Sequence, residues 1–572
     1  MILTHISRSI FGLVTSHVIN RRSSVSQWGY GCCWILMSMS VTFGAQQSIW
    51  AECSPWESTP RLGGPADAVV NVQEADRWRR YRAQREAERR LEARSPKRVR
   101  RRYRIEHTQI TDGCITTDQL VDLGRNLFLR RFSRAEGYGH GIKSLPSRSR
   151  FQRGHFGGPD ASACVDCHWK GGFAGAGDRV DNTYAFGDGE HLAVADPRNP
   201  PPLWGVGWVQ LVAEEMSNDL QEIKRDLIER AREEGQTLTA PLVTKGVDFG
   251  VLKASPDGTL DLEGIEGVDG DLIVKPFGWK GTFSSLREFV EVSAHKHLGM
   301  QSERLVAAPY KEVELGESFD ITDHEGPPEE APPHRDPADP DQDHVVRELT
   351  EGQVIALVAF LATLDTPQVE IPVRGVYQIP PRTGTLEFVD SPAFADRWLK
   401  GARLFEEVGC SECHRPYLPL KRAHLKIPMY GVSPRGSTPN GVIELDLSAH
   451  AALPHPERER EDGGAGYSVW LVPVFSDFKR HKMGEHLQAK HIERGVARDE
   501  YITRRLWGAR KTTPYLHHGG ALSFTEAILA HGGEGSEAMI AVEQFKALNE
   551  DEKSSLRLFL ASLSRGPAIR IR

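Results

Sequence analysis

Two C-x-x-C-H sites constrain this 572-residue chain more than any other feature: Cys164-Val165-Asp166-Cys167-His168 and Cys410-Ser411-Glu412-Cys413-His414. They use half of its eight cysteines. The spacing sets two thiols where they can add across the vinyl groups of a haem, with the next histidine under the iron as proximal ligand. A C-x-x-C alone also reads as half of a zinc site or as a redox dithiol. Neither pair has a second C-x-x-C or an H-x-x-x-H within zinc-finger distance, and a histidine follows the second cysteine both times. The pattern therefore predicts two covalent haem c groups, bound by Cys164, Cys167, Cys410 and Cys413, with their irons on His168 and His414.

A chain this long supports two or three domains with substantial cores. Its net charge of −7 gives no case for a nucleic-acid partner. The 54 Gly and 35 Pro point to much loop, as expected where a covalently held cofactor supplies core. Residues 1–51 read as a targeting segment: Arg21 and Arg22 precede an apolar run from Trp28 to Phe43, with small residues for cleavage after Ala45 or Ala51. An uncleaved anchor is the alternative, although the run is short for a membrane span. Export agrees with haem c attachment and predicts a periplasmic protein. There, a Cys53–Cys114 disulfide is a further expectation. Residues 52–110 form an Arg-rich region, helical or disordered, best read as a solvated arm.

Beyond Thr111 the chain looks duplicated. Gly124-Arg125-Asn126-Leu127-Phe128 ends an amphipathic run with Leu120, Leu123 and Leu127 at helical spacing. Gly401-Ala402-Arg403-Leu404-Phe405 ends another, with Phe394, Trp398 and Phe405 on one face and Ser391-Pro392 suited to N-cap and N1. A C-x-x-C-H follows each, 36 residues after Phe128 and five after Phe405. Each half closes on the same helix: Leu349-Thr350-Glu351 leads to Phe360-Leu361-Ala362-Thr363-Leu364, and Leu548-Asn549-Glu550 to Phe559-Leu560-Ala561-Ser562-Leu563, at an offset of 199 residues. The expected fold is mainly α: two cytochrome c-like haem domains in tandem, residues 111–370 and 371–572, with long loops and small β-hairpin inserts. One insert is expected over Leu238 to Ile273, and the Pro/Asp/Glu-rich stretch Asp323 to His344 reads as exposed loop.

Arg505-Leu506-Trp507-Gly508, Pro514-Tyr515-Leu516-His517 and Ala527-Ile528-Leu529-Ala530-His531-Gly532-Gly533-Glu534 closely resemble the di-haem oxidoreductase (putative peroxidase) family, relatives of the bacterial di-haem cytochrome c peroxidases. Supporting matches are Phe277-Gly278-Trp279-Lys280, Pro201-Pro202-Leu203-Trp204-Gly205-Val206-Gly207, and Ser476-Asp477 with His481-Lys482-Met483-Gly484. The resemblance covers roughly Thr111 to Leu563. In those peroxidases a methionine fourteen residues after the Pro-Tyr-x-His histidine ligates the second haem. Here that position is His531, implying His414/His531 ligation and a lowered potential. The other reading of His531 is a cap on the C-terminus of its helix, with Met483 then the candidate ligand.

For the first haem the candidate distal ligands are His295 and His297, by analogy with the second half, and His191, by position in the peroxidases. The resemblance implies that the haem on His168 is the reactive one. The second would relay electrons from a small donor protein or a quinol-linked cytochrome to an oxidant such as peroxide. Glu214 and Glu215 are candidates for moving the proton, resembling a Glu-Met pair in the peroxidases, though paired glutamates opening a helix also read as solvated residues. Trp208 and Trp169 are candidate electron relays, and His517 joins the catalytic candidates. Calcium between the domains is left open. Two other functions compete: a di-haem enzyme acting on an organic or protein substrate or on oxygen, and an electron-transfer cytochrome with both irons six-coordinate.

Overall fold

The computed structural model describes residues 103–139, 151–152, 155–156, 161–185, 192–304, 344–364, 366, 375–378, 387–390, 392–430, 441–449, 457–460 and 468–563. The targeting segment, Cys53, His191 and nearly all of the acidic 323–344 stretch lie outside these residues. Cys114 is disulfide-bonded. Among the described residues, no helix is long and apolar enough to cross a membrane.

Helices carry the frame, and the sheets are small. The helices that position the sites are α1 (Thr117–Leu129), α2 (Val206–Glu234), α3 (Leu286–Ser293), α4 (Glu351–Ala362), α5 (Pro392–Glu407), α6 (Phe524–Ala530) and α7 (Glu550–Ser562). The repeated sequences become two crossing helix pairs. In the first, α1 buries Leu120, Leu127 and Phe128 against α4, which is buried along its whole length. Gly124 makes the crossing close: a Cβ there would lie 1.8 Å from the Ala356 carbonyl oxygen and 2.7 Å from Phe360 Cβ. In the second pair, α5 crosses α7 at Gly401, where a Cβ would lie 2.0 Å from the Ser555 carbonyl oxygen and 3.0 Å from Phe559 Cβ. Ala356 and Ser555, like Phe360 and Phe559, are related by the 199-residue offset. The caps repeat as well. Thr350 and Asn549 are N-caps of α4 and α7, each with a reciprocal capping box to Gln353 or Glu552. Two halves with one helical frame follow from one local code written twice.

The expected insert is a three-stranded antiparallel sheet, β1 (Leu238–Thr244), β2 (Val247–Ala254) and β3 (Leu260–Asp261). Lys245 and Gly246 both have positive φ, as a two-residue hairpin turn requires. Leu242, Val247, Phe249, Leu252 and Ala254 face the core and are buried to within 2%. The second half carries strands that periodicity did not announce: β4 (Leu418–Leu420), β5 (His424–Met429), β6 (Gly441–Asp446), β7 (Glu457–Arg460) and β8 (Ser468–Val472). They pair antiparallel as β5–β6 and β4–β8–β7, and the buried residues of β4, β5 and β6 join the apolar core of the first half.

Candidate haem sites

At the first site, Cys164–Asp166 form a single 3₁₀ turn, and the His168 amide donates to the Cys164 carbonyl at 3.1 Å. Asp166 fastens the turn by accepting from the Ser162 and Ala163 amides at 3.1 and 3.2 Å and from Ser162 Oγ at 2.9 Å. His168 Nδ1 is hydrogen-bonded to the Pro201 carbonyl at 3.0 Å, with the Gly175 carbonyl at 3.3 Å. That fixes the proton on Nδ1 and leaves Nε2 as a lone-pair donor, as a metal-binding imidazole requires. Burial, with a smaller contribution from His297, lowers the His168 pKa to about 4, so the ring is neutral at physiological pH. Phe128, Phe173 and Phe360 pack about it, with ring centroids 5.4 to 5.8 Å apart.

The second site repeats this plan. Cys410–Cys413 form one helical turn, and the His414 amide donates to the Cys410 carbonyl at 2.9 Å. His414 Nδ1 is hydrogen-bonded to the Phe475 carbonyl at 3.0 Å. Burial, then the neighbouring His531, lowers its pKa to about 4. Phe405, Phe475 and Phe559 form the aromatic group here, centroids 5.2 to 6.3 Å apart. Phe405 and Phe559 stand where Phe128 and Phe360 stand in the first half.

Each proximal histidine has a second histidine near it from a distant part of the chain. His297 acts on His168 and His531 acts on His414, each disfavouring the charged form. His531 is the C-cap of α6, as one of its two sequence readings has it, and lies close enough to His414 to act on its charge. Its Nδ1 is hydrogen-bonded to the Ala527 carbonyl at 2.7 Å, which leaves Nε2 for the site. His297 lies in a π-helical turn, Ala294–Leu298, that extends α3. Such turns are frequent at functional sites. The His297 carbonyl accepts from the Ala161 amide at 3.0 Å, which ties the turn to the strand of chain leading into Cys164. His295 occupies the same turn, and His191 lies outside the described residues.

These donor sets fit haem. Each offers two thiols a turn apart and a neutral imidazole with its outer nitrogen occupied, with a second, half-buried imidazole in its neighbourhood. Burial pushes the Cys164 thiol up to about 12 and Cys410 up to about 11, which does not suit a reactive dithiol.

The remaining candidates are dispersed. Glu214 and Glu215 lie within α2, a 29-residue helix beginning at Val206, rather than opening it. Burial raises the Glu214 pKa, and Gln210 Nε2 donates to its carboxylate at 2.7 Å while Gln210 Oε1 accepts from the Leu286 amide at the start of α3. Glu215 is paired with Lys245 at 2.7 Å and accepts from the Lys421 and Arg422 amides. Trp208 packs against Trp470 at 5.6 Å, and Trp169 is exposed with its Nε1 donating to Asp181. His517 is buried, stacked on Tyr501 at 4.4 Å with Nε2 3.2 Å from the phenol oxygen, and Trp279 sits edge-on at 6.4 Å.

Two features escaped sequence reasoning. The first is a repeated Leu-Trp-Gly, Leu203-Trp204-Gly205 and Leu506-Trp507-Gly508, whose two copies interlock. A Cβ on Gly205 would lie 2.5 Å from the Trp507 ring and one on Gly508 2.2 Å from the Trp204 ring, and both glycines have positive φ. Trp204 Nε1 donates to the Phe173 carbonyl at 2.8 Å, and Trp507 Nε1 donates to the Pro473 carbonyl. The two indoles thus join the backbone near one site to the backbone near the other. The repeat was visible in the sequence as a recurring tripeptide. The second is His481, held between Asp477 at 2.8 Å and Glu537 at 2.7 Å, with Cys413 Sγ 3.9 Å from its Nδ1. Burial alone would lower its pKa, but hydrogen bonds to Asp477, Cys413 and Glu537 push it up to about 12.

Residues 467–563 match the family described as di-haem oxidoreductase, putative peroxidase. That segment contains His481, His517 and His531 and bears out the resemblance drawn from the sequence. No curated protein matches the chain. A solved structure of Kuenenia stuttgartiensis hydrazine synthase, pressurised with 20 bar xenon, is similar at 15% identity over 37% of this chain and 55% of that one, with a TM-score of 0.18. The similarity thus spans about half the length of that protein, and at this score it carries no argument.

Proposed function

We propose that this chain is a periplasmic c-type di-haem oxidoreductase of the peroxidase kind, reducing a peroxide with electrons delivered by an external donor through the second site. The observation that carries the reading is the paired arrangement: His168 with His297 and His414 with His531, each pair beside a two-cysteine turn. Haem supplies one-electron exchange and, where a coordination position opens, activation of a bound oxidant. The protein's part is positional. The Pro201 and Phe475 carbonyls hold the two proximal rings in the tautomer that presents Nε2. Glu214, its pKa raised by burial, is suited to carry a proton, whereas Glu215 is committed to Lys245. Trp204 and Trp507 link the backbone beside one site to that beside the other, whereas Trp208 packs on Trp470.

A second reading is favoured by the position of His297. Were His297 to hold the iron bound by His168, the first site would be closed at rest, as in an electron-transfer cytochrome. Peroxidase function then requires His297 to leave, and its seat on a π turn, with one residue more than an α turn, supports such a movement. The test begins with the mass of the matured protein, which should exceed the polypeptide by two haems. Peroxide-dependent oxidation of a reduced donor should follow, and His297→Ala should produce a high-spin first haem. Full low-spin character in that variant, with no peroxide turnover, would leave only the electron-transfer reading.

A further inference from the structure

Buried arginines in this protein are paired. Among the described residues these are the two buried outright: Arg130 meets Glu136 at 2.5 Å and Arg287 meets Glu351 at 2.5 Å. Burying a guanidinium without such a partner is costly. Arg504 and Arg505 break the pattern. They are adjacent in sequence and half-buried, and the contacts they make among the described residues are to backbone carbonyls and indole rings. Arg504 Nη1 donates to the Gly278 carbonyl at 3.2 Å, and its guanidinium lies 4.4 Å from the centre of the Trp279 ring. Arg505 Nη2 reaches the Pro202 carbonyl only at 3.5 Å, and its guanidinium is 5.5 Å from Trp507. Burial lowers both pKa values, with Arg505 further lowering that of Arg504, and no carboxylate offsets it. Both nonetheless stay protonated, because Arg does not lose its proton in proteins. Both are partly accessible rather than sealed in the core.

The place of this pair identifies its anion. Pro202 follows Pro201, whose carbonyl receives the His168 hydrogen bond. Thr503, the residue before Arg504, accepts through its carbonyl from Ser476 Oγ, and Ser476 follows Phe475, whose carbonyl receives the His414 hydrogen bond. Two unneutralised cations therefore stand between the two proximal backbones. Haem carries two carboxylates on its rim, and planar guanidinium forks match carboxylates bidentately.

Resting on the haem reading above, we infer that Arg504 and Arg505 bind and neutralise haem carboxylates between the two sites, and that the absent counter-charge is the cofactor's own. They are positioning residues that tune reduction potential.

The test uses the matured holoprotein and its Arg504→Gln, Arg505→Gln, Arg504→Lys and Arg505→Lys variants. Haem content is measured by mass and by pyridine haemochrome. Potentials come from spectroelectrochemical titration, and the haem carboxylate bending band from resonance Raman. The Gln variants should keep two haems, lower the reduction equilibrium of one haem about tenfold, about 59 mV for one electron, and shift its carboxylate band. The Lys variants keep the charge and should recover most of the potential. Unchanged potentials and band in fully loaded Gln variants would overturn the inference. So would Lys and Gln variants that load haem equally poorly, since the pair would then act through packing. Absence of covalent haem from the wild-type protein would instead sink the reading on which this one stands.

Discussion

At the scale of single residues, the chemistry rests on imidazoles whose outer nitrogens are occupied by backbone carbonyls. The proximal pair was legible because C-x-x-C-H is a local word. Which histidine neighbours His168 was not, since His297 lies more than a hundred residues away and only the fold brings them together. At the second site the identity of the distal group should set potential. Replacing His531 by Met should raise the midpoint of that haem, because a thioether in place of imidazole favours the reduced iron. A redox titration in which neither haem moves would remove His531 from the coordination sphere. His481 makes a separate prediction. Its folded pKa is raised, so its contribution to stability is fully present below the unfolded value of 6.5 and is lost as pH rises toward about 12. Between pH 7 and 9, denaturant titrations of the wild type should show stability declining by at most about 1.4 kcal/mol per pH unit from this group, and His481→Gln should flatten that slope.

At the scale of elements, the repeated helices were readable from sequence, though not that they cross. The offset that aligns Leu349 with Leu548 also aligns the N-caps Thr350 and Asn549, and it aligns the residues met by Gly124 and Gly401. Glycine is required at both crossings because a carbonyl oxygen occupies the place of a Cβ. Gly124→Ala and Gly401→Ala should each force their pair apart, costing about 1–3 kcal/mol, measurable as a lowered Tm. If either variant melts with the wild type, the close crossing is not what holds that pair. The π turn after α3 and the strands from Leu418 to Val472 were not legible. The strands are short, and their partners are distant in sequence. A π turn depends on tertiary contacts such as the Ala161 to His297 hydrogen bond rather than on propensity.

At the scale of the whole molecule, the duplication is deeper than its sequence trace. Helix pair, two-cysteine turn, aromatic triad, facing histidine and Leu-Trp-Gly all occur twice, and the tryptophans of the last element meet reciprocally. Trp507→Ala should cost about 3–5 kcal/mol, because the ring fills the space over Gly205 and its Nε1 satisfies the Pro473 carbonyl. Chemical denaturation should show the loss at both sites together. Separate transitions at unchanged stability would mean the indoles do not couple the halves. The interlock has a mechanical consequence. With each indole keyed into the opposite glycine, neither half can swing like a jaw without unseating both rings, so any opening of either site has to arise within one half rather than by large bodies parting.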